Sequence, residues 1–436
     1  MSTRMKIHLQ RVLGMVLLGL FLPSYLAAQG PPIREGETLD LPKCLAIALE
    51  RHPSIRAAAG TVLAGEGKIG QARSGYYPQL SGSAGYSRTD PVSSGQKGTT
   101  GTDVYNSYSS SLSLSQNIYD FGKTPTQVKI QELGRNASLS DLENARAQVI
   151  FGVKQAYYGF LQARQSRDVN REIVSQFQQH LEQARAFFET GTKPKIDVTK
   201  AEVDLSNAKL NLLKAENAFR LALVTLNNAI GFPEAPDYTI AEQLSFQRQE
   251  VDLDATLRRA YDWRPDLQSI LVKKMALEQG IELAKKGYYP SVTGNASYGW
   301  GGGDFPLDRG WTFGAQVNLP IFSGYSTKYQ VEEARANLEV LTANEATLRQ
   351  SIYQEVKQAW LNLSEAADRI TTTEVSVRQA QENLDLANGR YASGVGSPIE
   401  VTDALVAASN AKTARITALY DYKVAQASLE KATGER

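Results

Sequence analysis

Gly75-Tyr76-Tyr77-Pro78 occurs again, residue for residue, as Gly287-Tyr288-Tyr289-Pro290, and what flanks the two copies decides the fold. The offset is 287 − 75 = 212, and His52-Pro53 meets Arg264-Pro265 at the same offset. Further on, Val153-Lys154-Gln155-Ala156 matches Val356-Lys357-Gln358-Ala359 at 356 − 153 = 203. Gly191, Ile196, Val198, Ala208 and Gly231 match Gly394, Ile399, Val401, Ala411 and Gly434 at that second offset. The offset changes because the first copy carries a longer insertion between Pro78 and Val153. The chain therefore reads as a tandem repeat, Leu39–Gly231 and Val251–Gly434, joined by a linker over 232–250 that is rich in Pro, Glu and Gln.

Each repeat follows one grammar. A short helix ends at an X-Pro break, and a second helix runs to Gly-Tyr-Tyr-Pro, where Pro stops it because it lacks the amide hydrogen and clashes with the preceding turn. Two alternating stretches come next, at about 79–88 and 108–119 in the first repeat and about 291–300 and 311–319 in the second. Leu80, Ala84 and Tyr86 alternate with Ser81, Ser83 and Ser87. Leu112 and Leu114 alternate with Ser111, Ser113 and Ser115. Val292, Ala296, Tyr298 and Trp300 alternate with Ser291, Thr293, Asn295 and Ser297. Trp311, Phe313, Ala315, Val317 and Leu319 alternate with Thr312, Gly314, Gln316 and Asn318. A period of two is the strand period, and about ten residues is the length of a tilted strand that crosses a bilayer. An apolar face backed by a small polar face suits a membrane barrel with a wet lumen, with Tyr86, Tyr298, Trp300 and Trp311 near strand ends as an aromatic girdle. A soluble sheet with one face on a core has the same alternation; the secretory start of the chain favours the membrane. Asp90–Asn106 and Gly301–Gly310, rich in Gly, Ser, Thr and Asp, read as the loops between paired strands.

That start has Arg4, Lys6 and Arg11 before a short apolar run over 12–22, then Leu26-Ala27-Ala28, a signal peptide over residues 1–28. Gln29 follows where a lipoprotein signal would need Cys, so no lipid anchor is expected. No later run is long and apolar enough for a transmembrane helix. Without the signal the balance is 47 − 3 = 44 basic against 46 acidic residues, which gives no electrostatic case for nucleic acid.

Very long helices are predicted at about 123–190 and 327–392, and further helices at about 196–230 and 398–432. The long stretches hold Ala, Leu, Gln, Glu, Lys and Arg, all good helix formers, and each could run about 100 Å at 1.5 Å per residue. Val331, Leu338, Leu341, Leu348 and Ile352 recur at helical spacing. Helices of such length imply a coiled coil or helical array.

Catalysis lacks an inventory. After the signal only His52 and His180 remain, too few for a His-based triad or metal cluster. Gly65-Glu66-Gly67-Lys68 has Val62 where a phosphate loop needs its leading Gly and Ile69 where it needs Ser or Thr. The single Cys44 sits in an apolar run and reads as a small core residue. No catalytic, cofactor or metal site is expected.

Four strands cannot close a barrel alone, and an open edge cannot face lipid. Copies must supply the rest: two would give eight strands and three would give twelve, and a duct needs more than eight because side chains nearly fill that interior. The repeats, the Gly-Tyr-Tyr-Pro lead-ins, and the strand exits Asn117-Ile118-Tyr119-Asp120-Phe121-Gly122 and Leu319-Pro320-Ile321-Phe322-Ser323-Gly324 resemble those of TolC-like outer-membrane efflux proteins. The resemblance covers about Leu39 to Gly434. It implies a mainly α fold with transmembrane β structure: a homotrimer whose twelve-stranded barrel in outer-membrane lipid continues into an α-helical barrel in the periplasm. It also implies a passive exit duct that docks to a periplasmic adaptor and an inner-membrane transporter, with no enzymatic role. An envelope coiled-coil protein without transport, the alternative, leaves two matched pairs of strands unexplained; a diffusion porin leaves the helices unexplained.

Within the resemblance, the helical turns carrying Gly191, Thr192 and Pro194, and Gly394, Val395, Gly396, Ser397 and Pro398, are implied adaptor-docking tips. Glu400 and Asp403, one helical turn apart, are implied to make acidic rings at the periplasmic entrance, which would attract cations. Tyr391 is the implied entrance latch. The basic partner expected beside it is not evident, because Gly396 occupies its position.

Overall fold

The computed structural model describes residues 33–90, 104–240 and 244–435. The signal read at 1–28 and most of the first strand-connecting loop lie outside the described residues. The chain divides into two compact units. The described part of the smaller one is a clasp between residues 33–39 and 235–240. Thr38 and Thr239 form a parallel bridge, with Leu39 N donating to Thr239 O and Thr239 N donating to Glu37 O.

The larger unit, Asp40–Glu234 and Glu242–Arg436, holds the helices and strands found among the described residues. In chain order they are α1 (Leu41–Arg51), α2 (Pro53–Arg73), β1 (Gln79–Thr89), β2 (Tyr105–Tyr119), α3 (Lys123–Glu189), α4 (Lys195–Ala229), α5 (Leu253–Trp263), α6 (Pro265–Lys285), β3 (Ser291–Gly302), β4 (Asp308–Asn318), α7 (Ser326–Ala392) and α8 (Pro398–Thr433). The order α-α-β-β-α-α thus occurs twice. The X-Pro breaks explain the short first helices: Pro53 and Pro265 sit at the first helical position, where a missing N–H costs nothing. The long helices α3 and α7 are 67 residues each. Asp120 starts α3, its carboxylate accepting from the Thr124 and Gly122 amides.

The helices lie side by side. α3 packs on α4, α8, α6 and α2, while α7 packs on α8 and α6. Gly231 and Gly434 close their repeats in the left-handed region, each pressed on the backbone of the X-Pro break in its own repeat, His52 and Trp263–Arg264 respectively. A side chain at Gly434 would come within 2.9 Å of Trp263 O, so the two junctions keep glycine by crowding as well as by conformation.

The four strands form one antiparallel sheet in the order β1-β2-β3-β4. Its register stacks the faces into rungs. On one face Leu80 pairs Leu114, Leu114 pairs Ala296, and Ala296 pairs Phe313. The next such rung is Gly82, Leu112, Tyr298 and Trp311. The opposite face carries Ser81, Ser113, Ser297 and Thr312 in one rung, and Ser83 Oγ lies 2.9 Å from Ser111 Oγ across the first pair. The apolar face is uncovered: Trp311 and Phe313 are each 77 % exposed and Leu80 is 71 % exposed. The strands also run into stretches read as loops, since Tyr105, Asn106, Gly301, Gly302 and Asp308–Gly310 are paired. Their glycines and polar residues blur the alternation, whereas ladder bonds need only the backbone. Among the described residues no helix is long and apolar enough to cross a membrane.

Candidate functional site

The ends of α3 and α7 furthest from the sheet turn back into α4 and α8. Both turns are built alike, because their sequences are copies. Gly191 at φ +76° and Gly394 at φ +80° end the long helices in the left-handed conformation that closes helix C-termini. The amides of Thr192 and Lys193 donate to Phe187 O, and those of Val395 and Gly396 donate to Arg390 O. Pro194 caps α4, and Pro398 begins α8 with the Ser397 hydroxyl accepting from the Ile399 amide. Thr190 and Thr192 share a hydroxyl contact at 2.9 Å. Among the positions where the two turns differ in sequence, Lys193 against Gly396 changes the geometry. A β-carbon at Gly396 would lie 2.7 Å from Tyr391 N and 2.9 Å from Arg390 C, so that turn folds tighter than its counterpart at Lys193.

Behind the turns lies an apolar core drawn from four helices: Ile173, Phe177, Leu181 and Ala184 of α3, Ala201, Leu205 and Ala208 of α4, Leu384, Ala387 and Tyr391 of α7, and Val401, Ala404, Leu405 and Ala408 of α8. The alanines let the backbones approach, and spacings of three and four bring these residues to one face of each helix.

Tyr391 is the ring on which the two hairpins meet. It is fully buried, with its centroid 5.0 Å from that of His180 and 5.4 Å from that of Phe187, the latter edge-on. Lys193 stands over the same ring, 6.0 Å from the centroid, and its Nζ donates to Gly396 O at 3.4 Å. The first turn thus reaches its counterpart in the second repeat. Below them Thr402 Oγ1 donates to Asp204 at 3.0 Å, tying α8 to α4. Two polar atoms in this cluster have no hydrogen-bond partner among the described residues, Tyr391 Oη and His180 Nδ1. Burial, with the Asp197 charge, pushes the Tyr391 phenol up. Burial holds the His180 imidazole below its ordinary value; Asp204 and Asp197 pull the other way, and Lys200 adds to the depression.

The acids lie on the exposed side of α8. Glu400 and Asp403 are both exposed, opposite the buried Val401, Ala404 and Leu405. Glu400 has a basic partner in the chain: Arg390 Nε is 3.2 Å from Glu400 Oε2. Reading along the turn misses Arg390, because it precedes Glu400 by ten residues and only the fold-back of α8 on α7 brings the two together. Asp403 has no ion pair among the described residues, and no cluster of His, Cys, Asp or Glu there could hold a metal ion.

His180, Lys193 and Arg390 are additions to the residues singled out from sequence. The signal for His180 was present. It falls three residues after Phe177 and four before Ala184, inside the apolar seam of α3, where an exposed histidine would be out of phase.

Relatives bear on this arrangement. The sequence profile described as outer membrane efflux protein matches residues 45–232 and 256–435. The outer membrane protein TolC of Escherichia coli is 25 % identical over 401 residues, spanning 88 % of this chain and 80 % of that protein. The outer membrane efflux protein BepC of Brucella suis is 22 % identical over 401 residues, spanning 89 % of this chain and 83 % of that protein. In fold, the CmeC outer membrane channel of Campylobacter jejuni superposes with a TM-score of 0.77 at 20 % identity, covering 94 % of this chain and 90 % of that one. With both repeats matched, this chain belongs to the outer membrane efflux protein family.

Proposed function

We propose that three copies of this chain assemble into a passive exit duct through the outer membrane, fed by a periplasmic adaptor and an inner-membrane transporter that supplies the energy. The duct itself performs no chemistry. The observation that carries this reading is the sheet: four strands of bilayer-crossing length, an uncovered apolar face, and two unpaired edges, β1 and β4. An edge in lipid leaves backbone groups without partners, so β1 of one copy pairs with β4 of the next until the wall closes. Three copies give twelve strands, enough to leave a passage. The serine-rich face then lines the lumen, and the long helices continue it on the periplasmic side.

At the far end, the turns at Gly191–Pro194 and Gly394–Pro398 are the surface offered to the adaptor. Glu400 and Asp403 of three copies make stacked acidic rings, favouring cations near the entrance. Tyr391 latches the entrance from within each copy, by joining the two hairpins, and the Arg390–Glu400 pair restrains the acid that the ring presents.

Single-channel recording of the purified protein in planar bilayers tests the reading. The wild type should give discrete low-conductance steps with cation preference. Glu400→Ala with Asp403→Ala should raise the conductance or shift the reversal potential toward zero. Absence of any conductance in wild type and variants would refute the duct and favour a structural envelope role.

A further inference from the structure

The four strands hold three charged residues, Arg88, Asp308 and Arg309, and all three lie at the hairpin ends, away from the helices. Strand alternation separates them. Asp308 falls on the serine face. Arg309 falls on the face of Trp311 and Phe313, opposite Trp300 in the ladder, and Arg88 falls on the face of Leu80 and Tyr86. Both arginines are exposed, and neither has an ion-pair partner among the described residues. Each lies one residue in from the hairpin end of its strand: Arg88 is the penultimate residue of β1 and Arg309 the second of β4. These two strands are the edges of the sheet.

On the proposed trimer, on which this inference rests, β1 of one copy adjoins β4 of the next, at the ordinary strand spacing of about 4.8 Å. Arg88 and Arg309 then flank one seam, on the lipid side, three times around the barrel. The helices leave the strands at their other ends, so with the helical extension in the periplasm the arginines stand at the outer leaflet. An unpaired cation is unfavourable in hydrocarbon and is tolerated at headgroup level, where Tyr86, Trp300 and Trp311 also suit the interface. A guanidinium binds phosphate through two parallel hydrogen bonds. We propose that the Arg88–Arg309 seam is a binding site for the phosphate-bearing headgroup of an outer-leaflet lipid, which staples adjacent copies together.

The test uses the full detergent-solubilised protein, its trimeric mass established beforehand, and follows heat dissociation of the oligomer. Three additions are compared: diphosphorylated lipid A, the same lipid after enzymatic dephosphorylation, and inorganic phosphate. The phosphorylated lipid should raise the dissociation midpoint and the other two should not. Arg88→Gln and Arg309→Gln should each lose more than half of that shift, and the double variant should lose it all, while Arg309→Lys keeps part. Equal shifts from both lipids, a full shift from inorganic phosphate, or a wild-type response in the double variant would each overturn the proposal. Should the double variant not assemble, the two lipids on the wild type decide. A wild type that is no trimer fails at the mass measurement, so loss of the duct reading is told apart from loss of the lipid site.

Discussion

Replacing Tyr391 by Ala should open the entrance, whereas replacing it by Phe should not. The ring is completely buried, and truncating a buried aromatic to Ala costs about 3–5 kcal/mol, part of it from the cavity left behind. Its ring partners, His180 and Phe187, lie on α3 of the other repeat, so much of that loss falls on the contact between hairpins. At about 1.4 kcal/mol per factor of ten, a loss of roughly 3 kcal/mol shifts the ratio of joined to parted hairpins about a hundredfold in each copy. Phe keeps the ring and removes a hydroxyl that has no partner among the described residues. A buried unsatisfied polar group costs about 1–3 kcal/mol, so Tyr391→Phe should leave the joined state equal or more stable. Single-channel recordings read the difference: larger or more frequent openings for Tyr391→Ala, wild-type steps for Tyr391→Phe. If Tyr391→Phe opens the duct as far as Tyr391→Ala, the hydroxyl acts between copies and the packing argument is wrong. An unchanged Tyr391→Ala channel would remove the ring from gating altogether.

The other predictions concern the turn, the wall and pH. Gly396→Ala drives a methyl into the backbone of Arg390 and Tyr391; strain of about 1–3 kcal/mol should lower the thermal midpoint, while Ala at half-buried Lys193, the counterpart of that position, costs less. Ser113→Lys should assemble and shift the reversal potential toward anions, because its face lines the lumen; Leu114→Lys, one residue on and facing lipid, should cost about 2–4 kcal/mol per copy at mid-membrane and block assembly, as a gel shift of the oligomer would show. The His180 imidazole lies below its ordinary value in the fold, so the folded tip favours its neutral form. The stability it contributes is complete above the ordinary value near pH 6.5 and is lost as pH falls through the depressed one. The groups facing it are Asp197, Lys200 and Asp204 of α4 and Tyr391 of α7, whose ring Lys193 of the turn stands over. Melting curves should therefore show the wild type losing stability below about pH 6.5, and His180→Phe should lose less of it there.

Much of the architecture is legible in the chain because it rests on periodicity. Ser81 and Leu80 announce opposite faces of a strand, and the helix-forming run from Lys123 to Glu189 contains Pro125 only in its first turn, where it does no harm. Duplication doubles the signal: a motif such as Gly191 is weak alone and firm when Gly394 repeats it. What sequence withholds is whatever depends on fold-back. Arg390 meets Glu400, and Lys193 meets Gly396, only because helices reverse and hairpins lie together. Strand ends were hidden for a different reason, since glycine-rich segments such as Gly301-Gly302 pair through backbone alone. The seam flanked by Arg88 and Arg309 needs the strand order, which no local pattern states.

The central claim is that the sheet of one chain is a third of a closed wall. The most direct measurement is the protein mass of the detergent-solubilised particle by light scattering with the detergent contribution subtracted. Three chains per particle are predicted. A particle of one chain, or of two, would leave β1 and β4 without the partners this account requires, and would contradict it.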